Sequence, residues 1–206
     1  MAVVITVAQQ KGGAGKTTLA ANLAVAFAAR WRVALLDIDP QHSLKRWHTL
    51  RLSRGATAMG FSDISGWRLA GELDRLRRSF DLLLVDSPPQ IDTDARLAIR
   101  GADLVLVPVQ PSAPDLWAAE GTLKLAAEER RTARVVLNRA AAGRLRTEAE
   151  AEIARLGLPR LATVIGNRAG VPGAFAMGLG ITEAAPKSAA AGEVRDLRAD
   201  IERILG

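Results

Sequence analysis

A glycine-rich segment directly after an apolar run is the feature that most constrains this chain. Residues 10 to 17 read Gln-Lys-Gly-Gly-Ala-Gly-Lys-Thr. Because glycine lacks a Cβ atom, the backbone N–H groups of Gly12, Gly13 and Gly15 can close around phosphate oxygens. The helix predicted from about residue 16 to residue 29 points the positive end of its dipole at the same phosphates. The segment therefore predicts a loop that binds a nucleoside triphosphate between a strand and a helix.

Two side chains of this loop suit chemistry on the phosphates, because Lys16 can reach the β and γ groups and the Thr17 hydroxyl suits Mg²⁺. The general pattern Gly-x-x-x-x-Gly-Lys-Ser/Thr needs glycine where this chain has Gln10, and it does not ask for Lys11. With this departure the segment resembles the deviant Walker A ATPases of the ParA/MinD class. The resemblance implies that Lys11 crosses a dimer interface and contacts the phosphates bound by the partner subunit. It implies catalytic roles for both lysines and nucleotide contacts along the loop, from Lys11, Gly12, Gly13, Ala14, Gly15, Lys16, Thr17 and Thr18.

Apolar runs alternate with amphipathic stretches along the rest of the chain. Further runs that predict strands lie at 33–36, 82–85, 104–107, 134–137 and 161–165. They are typical of strands covered on both faces of a parallel sheet. Helical patterns lie at about 16–29, 68–79, 92–101, 115–130, 145–157 and 188–205. We therefore expect an α/β fold, with a doubly wound, mostly parallel sheet flanked by helices on both faces, as one domain over residues 1–206.

Carboxylates follow two of the predicted strands. Asp37 and Asp39 stand where a strand opens into a loop, which suits a site that holds a metal and positions a water for phosphoryl transfer. The string Asp-x-Asp-Pro-Gln resembles the switch I segment of ParA proteins, which implies that Asp39 orients or activates the water and that Asp37 supports the Mg²⁺ shell. Capping of a helix that begins near Gln41 is the alternative, and it could coexist with catalysis. The run 82–86 resembles a Walker B strand, which implies that Asp86 holds Mg²⁺ through water.

Two segments could face the base of the nucleotide. The stretch 107–115 carries three prolines within seven residues, which stiffens a loop. Small ParA proteins have a similar stretch near the nucleotide and the dimer contact, so Pro111 is a candidate nucleotide contact. Asn138 ends another predicted strand, and its amide offers a donor and an acceptor to an adenine edge, as in MinD relatives; a turn residue that closes the strand is the alternative. The expected ligand is ATP with Mg²⁺, and the choice of adenine rests on the resemblance.

The net charge of +6 is unevenly distributed. Residues 130–168 hold nine arginines against three glutamates. Such an excess suits a surface that meets phosphate backbones without reading bases, although arginine-rich solvated faces also occur without binding. ParA relatives bind DNA nonspecifically through C-terminal basic residues of the ATP-bound dimer, and this resemblance makes Arg168 the first candidate. The other candidates are Arg139, Arg144, Arg160, Lys187 and Arg195.

Composition excludes several relatives that share the loop. The chain has no cysteine, which excludes cysteine-ligated iron–sulfur clusters, and no tyrosine, which argues against the bacterial tyrosine kinases of the class. No apolar stretch approaches the ~20 residues of a transmembrane helix, and no cationic leader precedes the first strand. We therefore expect a cytoplasmic protein.

The resemblance covers essentially the whole chain and is strongest with the short, ParF-like ParA partition ATPases. It implies an ATPase that forms a sandwich homodimer with ATP, binds DNA on the nucleoid and responds to a ParB-like or cargo-adaptor partner. The cargo could be a plasmid, a chromosome or a protein cluster. A membrane-associated MinD-like protein is one alternative, but the predicted last helix lacks a basic polar face. A metabolic enzyme of the dethiobiotin-synthetase type is another, and it has no evident use for Lys11.

Overall fold

The computed structural model describes residues 2–90 and 93–206, and its strands form one sheet. The strands are β1 (Val3–Val7), β2 (Val33–Asp37), β3 (Gly60–Asp63), β4 (Leu82–Asp86), β5 (Leu104–Val109), β6 (Thr132–Leu137) and β7 (Arg160–Val164). Their order across the sheet is β3-β2-β4-β1-β5-β6-β7, and each paired strand runs parallel to its neighbour. The prediction of a doubly wound parallel sheet is confirmed.

Helices cover both faces of this sheet. They are α1 (Lys16–Ala28), α2 (Ser43–Ser53), α3 (Leu69–Leu76), α4 (Thr93–Gly101), α5 (Ala113–Glu128), α6 (Arg144–Arg155), α7 (Gly170–Ala176), α8 (Ile181–Ala184) and α9 (Ala189–Leu205). Apolar side chains of α1, α2, α7, α8 and α9 pack on one face, and those of α3 to α6 pack on the other. Because alternate residues of a strand point to opposite faces, the central strands need apolar residues at nearly every position.

Serine side chains cap the start of two of these helices. The Ser112 side chain accepts a hydrogen bond from the backbone N–H of Asp115 at the start of α5, and Pro114 stands in the first turn. Ser188 accepts one from Ala191 at the start of α9. Both serines satisfy N–H groups that the helix itself leaves free.

Three elements were not predicted from the sequence: β3, α7 and α8. The edge strand β3 is only half-buried along its length, so its sequence, Gly-Phe-Ser-Asp, carries no apolar run. The helices α7 and α8 have seven and four residues, too few for a helical period to emerge. In the part of the chain that the structure describes, no helix combines the length and the apolar character needed to span a membrane.

Candidate nucleotide-binding site

The glycine-rich loop joins the end of the central strand β1 to the start of α1. Gly13 and Gly15 have φ angles of +80° and +90°, which favour glycine because a Cβ atom is strained there. At Gly15 an added Cβ would also lie 2.7 Å from Nδ2 of Asn138. These two glycines are therefore required by the backbone itself, as well as by the approach of a phosphate.

Side chains from the ends of β5 and β6 hold the carbonyl groups of this loop. Asn138 Nδ2 donates to the carbonyl of Ala14 at 2.9 Å. Arg139 Nη1 and Gln110 Nε2 both donate to the carbonyl of Gly13, at 3.1 and 3.0 Å. Arg139 takes a φ of +51° to reach this position. Arg139 was predicted to lie on a DNA-binding surface, whereas the structure places its guanidinium on the loop.

A cleft of about 240 Å³ opens beside the loop and brings most of the predicted phosphate-site residues together. Lys16 and Thr17 line it with Thr18, and Asp39 faces them from the segment after β2. The remaining lining residues are Gly12, Gly13, Gly15, Gln41, Ser43, Pro89, Arg139 and Phe175. The cleft lies at the carboxyl ends of the strands, where parallel sheets bind their ligands.

Lys16 lies low in this cleft and is 6% exposed. Its Nζ donates to the carbonyl of Gln9 at 3.1 Å. Burial lowers the pKa of Lys16, and the negative charges of Asp86 and Asp39 partly offset that shift. The lysine therefore stands near two of the three carboxylates that the sequence assigned to the reaction.

Asp86 ends β4 and is fully buried. Burial raises the pKa of Asp86 to about 8, while the nearby Thr17 hydroxyl lowers it and Asp37 raises it further. Neither carboxylate oxygen has a hydrogen-bond partner of normal geometry among the described residues. Two unsatisfied buried oxygens beside a hydroxyl fit Mg²⁺, which prefers hard oxygen ligands. Since the described residues contain no cluster of three or more metal-binding side chains, such an ion would take its other ligands from phosphates and water.

Asp37 organises the segment after β2 through both of its oxygens. Oδ1 accepts from the backbone N–H of Asp39 at 3.1 Å, and Oδ2 accepts from that of Lys45, in the first turn of α2, at 2.9 Å. Burial raises the pKa of Asp37, and these two amides lower it. The capping alternative therefore describes Asp37 well, and its part in a Mg²⁺ shell stays a prediction.

Asp39 stabilises a local turn and also lines the cleft. Its Oδ1 accepts from the backbone N–H of Gln41 at 2.9 Å. The side chain is 7% exposed and lines the cleft opposite Lys16 and Thr17. This placement suits a carboxylate that orients a water near the γ-phosphate position.

A second, more apolar cavity of about 170 Å³ adjoins the cleft, since Thr18, Arg139 and Phe175 line both. Asn138 and Arg139 line it together with Asn22 and with Ile165 to Arg168. Val171 and Phe175 of α7 and Val194 of α9 supply apolar walls. An apolar slot next to a phosphate loop suits a planar base. Pro111 lines neither cavity, and its neighbour Gln110 makes the contact with the loop.

Lys11 lies outside the residues that line the phosphate cleft of its own chain. Its Nζ forms an ion pair with Asp115 of α5, and the side chain is 40% exposed. Asp115 is nearly fully buried and also accepts from Ser112 Oγ at 2.5 Å. Asp115 and Phe175 were not predicted from the sequence. For Asp115 a signal was available, because it is an acidic residue in the first turn of a helix that has a proline in the same turn.

The predicted DNA-binding residues are dispersed, and several are neutralised. Arg168 pairs with Glu193 at 2.6 Å on the rim of the apolar cavity. Arg144 pairs with Glu148 at 2.7 Å, and Arg160 lies 3.9 Å from Glu150. Arg195 donates to the carbonyl of Pro186 at 3.0 Å, and Lys187 is exposed. Whether these residues meet DNA stays a prediction.

A phosphate loop after the central strand, with an unsatisfied buried aspartate at the end of the adjacent strand, defines a P-loop nucleotide-binding protein. A family model described as the CobQ/CobB/MinD/ParA nucleotide binding domain matches residues 5–181. The chain belongs to this family. The resemblance to the ParA/MinD class, derived from residues 10–17 and 36–41, is confirmed.

Individual relatives agree with this assignment. The chain is 34% identical over 176 residues to maintenance of carboxysome distribution protein A of Halothiobacillus neapolitanus, which covers 82% of this chain and 81% of the relative. Among solved structures, the ATP complex of a McdA variant from Cyanothece has a TM-score of 0.80 at 18% identity, over 98% of this chain and 96% of that one. MinD of Pyrococcus horikoshii with Mg-ADP has a TM-score of 0.83 at 18% identity, over 100% and 98%. At this identity the two structures show the shared fold.

Proposed function

We propose that the protein is an ATPase that positions a cargo in the cell through an ATP-dependent dimer. ATP with Mg²⁺ occupies the phosphate cleft and the apolar cavity, and a second copy docks over the cleft. The dimer binds DNA nonspecifically and so associates with the nucleoid. A ParB-like or adaptor protein on the cargo stimulates hydrolysis and releases the dimer.

Each group of residues in the cleft has its own role in hydrolysis. The amides of residues 12–17 and the Lys16 ammonium hold the phosphates, and Thr17 with Asp86 would hold Mg²⁺. Mg²⁺ supplies neutralisation of the charge that develops on the phosphate oxygens. Asp39 orients the attacking water and accepts its proton. Asp37 keeps Asp39 in place through the backbone N–H of that residue.

The observation that carries this proposal is the position of Lys11. Of the two lysines in the loop, only Lys16 lines the cleft of its own chain, while Lys11, whose side chain is 40% exposed, pairs with the buried Asp115 outside that cleft. A cation in that position serves a phosphate bound by another copy better than one bound by its own chain. Released from Asp115, it would stabilise transition-state charge in trans, as an arginine finger does.

For the cargo we propose a large protein assembly. The support is the relative from Halothiobacillus neapolitanus, whose name refers to the distribution of carboxysomes and whose match spans most of both chains. Plasmids and chromosomes are the cargoes of other ParA proteins and are the alternatives. Cell imaging of a fluorescent fusion would separate them: foci of a protein compartment lose their spacing in a deletion strain, while plasmid retention and chromosome number stay normal.

Light scattering with ATP, ADP and no nucleotide tests the dimer. We expect a mass of two chains with ATP and of one chain otherwise. Anisotropy of a labelled 60-base-pair duplex then tests DNA binding, which should rise with ATP and ignore sequence. For about four phosphate contacts the affinity should fall by ~100-fold between 50 and 200 mM salt. A single-chain mass at saturating ATP would contradict the proposed cycle at its first step.

A further inference from the structure

Because the sheet is parallel, the carboxyl ends of the helices that follow its strands lie at one end of the molecule. All strands run parallel, and a helix that follows a strand returns beside it, so these helices end where the strands begin. The strand starts lie together there: the amide of Asp81 donates to the carbonyl of Arg32 at 2.8 Å, and that of Val3 donates to the carbonyl of Asp81 at 3.0 Å. The phosphate loop lies at the other end of β1.

Exposed arginines follow the carboxyl ends of four helices at this end of the molecule. We call this set the basic end; it consists of Arg30 after α1, Arg54 after α2, Arg78 after α3, and Arg130 and Arg131 after α5. None of the five forms an ion pair or a side-chain hydrogen bond within the described ranges 2–90 and 93–206. By contrast Arg32 pairs with Asp81 at 2.7 Å and Arg155 with Glu152 at 2.6 Å. The basic end therefore carries five positive charges that pair directly with no carboxylate of the described residues.

Its dimensions suit an extended polyanion. From β3, the strand after Arg54, to β6, the strand after Arg131, the sheet order makes five strand spacings, which is ~24 Å. Duplex DNA carries one negative charge per ~1.7 Å of its axis when both strands are counted, so a duplex of that length carries about fourteen phosphates. Arg130 also stands at a φ of +56°, where helices usually end in glycine. A charged side chain is thus kept at a position where local backbone energy favours glycine.

We propose that the basic end binds the phosphate backbone of double-stranded DNA. This inference rests on the DNA-binding step of the proposed function and moves it away from the arginines that the sequence analysis favoured, of which Arg144 and Arg168 are already paired with glutamates. A second copy over the phosphate cleft leaves the basic end exposed, since the two lie at opposite ends of the sheet. Dimerisation then places two basic ends at opposite ends of the dimer, where each can contact a separate stretch of DNA.

The composition of this surface favours DNA over a lipid surface. Amphipathic lipid-binding segments insert bulky apolar side chains among their basic residues. Among the large apolar side chains that the described part of the chain exposes, only Leu52 lies within two residues of a member of the basic end. Trp31, the aromatic residue beside Arg30, instead packs on Phe27 at 5.3 Å between ring centroids.

The test compares two variants that lose the same net charge. In the first, the five arginines of the basic end become glutamine. In the second, five arginines that pair with carboxylates become glutamine instead: Arg75, Arg144, Arg146, Arg155 and Arg203. Anisotropy of the 60-base-pair duplex is measured with ATP from 50 to 200 mM salt. Each lost phosphate contact should lower the salt slope by about 0.9 and the affinity at 0.1 M by about eight-fold.

We expect that loss in the first variant and a change of less than about three-fold in the second. Equal DNA affinity in the first variant and the wild type would overturn the inference, and so would binding of the wild type to anionic vesicles but not to DNA. Light scattering with ATP separates these outcomes from failure of the dimer. If the wild type dimerises but binds no DNA, the DNA step of the proposed function fails too. If the five substitutions unfold the protein, the double variant Arg130→Gln, Arg131→Gln repeats the test with the loss of two phosphate contacts.

Discussion

A buried ion pair between α2 and α8 provides a quantitative test of the structure. Arg51 is 1% exposed, and its Nη1 and Nη2 donate to the two oxygens of Glu183 at 2.8 and 2.7 Å. The guanidinium also donates to the carbonyls of Thr57 and Gly178 and lies 5.5 Å from the ring centroid of Trp47. Glu183 is therefore the only carboxylate among the described residues that compensates this buried charge.

Glu183→Gln keeps the shape of the side chain and removes its charge. Removal of one partner from a fully buried pair costs ~3–5 kcal/mol. Since the Glu183 side chain is 33% exposed, solvent relieves part of that penalty, and we expect the free energy of unfolding to fall by about 2–3 kcal/mol. For a chain of 206 residues this corresponds to a melting temperature lower by roughly 4–12 °C.

Urea unfolding at pH 7 measures this loss, and the double variant Arg51→Met, Glu183→Gln is its control. The double variant removes both charges, so it should be more stable than Glu183→Gln alone. Burial raises the pKa of Glu183, but the hydrogen bonds from Arg51 and Gly180 and the charge of Arg51 outweigh it and lower the pKa below 4.5. The stability difference from wild type is thus fully present above pH 4.5 and shrinks as pH falls through the native pKa. A loss under about 0.5 kcal/mol at pH 7 would refute the argument.

Three further predictions concern the nucleotide site. Lys11→Ala should bind ATP with unchanged affinity but remain a single chain in light scattering and lose at least about ten-fold of the stimulated hydrolysis rate; a variant that still dimerises would make Lys11 an ordinary loop residue. Asp39→Ala should dimerise on ATP and hydrolyse it at least about ten-fold more slowly in a phosphate-release assay, whereas lost ATP binding would assign Asp39 a structural role. Arg139→Gly keeps the left-handed backbone and removes the guanidinium, so ATP affinity by calorimetry should fall about ten-fold, and an unchanged affinity would return Arg139 to the DNA surface.

Sequence patterns predicted the sheet well because its central strands are buried on both faces. Such strands must be apolar throughout, which makes them visible without any partner information. The glycine-rich loop was equally visible, since Gly13 and Gly15 are required by positive φ angles. The short α7 was not visible, and with it Phe175, which lines both cavities, escaped prediction.

Side-chain partners were the part that local sequence could not supply. Lys11 and Asp115 are separated by 104 positions, and Arg139 and Gly13 by 126, so only the fold brings each pair together. The charge of residues 130–168 was counted correctly, but Arg168 is compensated by Glu193, which lies outside that segment. A charge count measures net excess along the chain, whereas a binding surface depends on which charges remain unpaired in space.

The two hydrogen bonds of Asp37 have a mechanical consequence. One carboxylate accepts hydrogen bonds from the backbone of Asp39 and from the first turn of α2, so it couples the segment after β2 to that helix. Near the far end of that helix is Arg51, clamped to α8, and Gly178 packs so tightly on Leu50 and Arg51 that a Cβ atom there would lie 2.3 Å from a backbone nitrogen. Any displacement of Asp39 would therefore either break its hydrogen bond to Asp37 or shift α2 and, through Arg51, the segment that follows Phe175. Through Phe175, the shape of the apolar cavity would then depend on the position of Asp39.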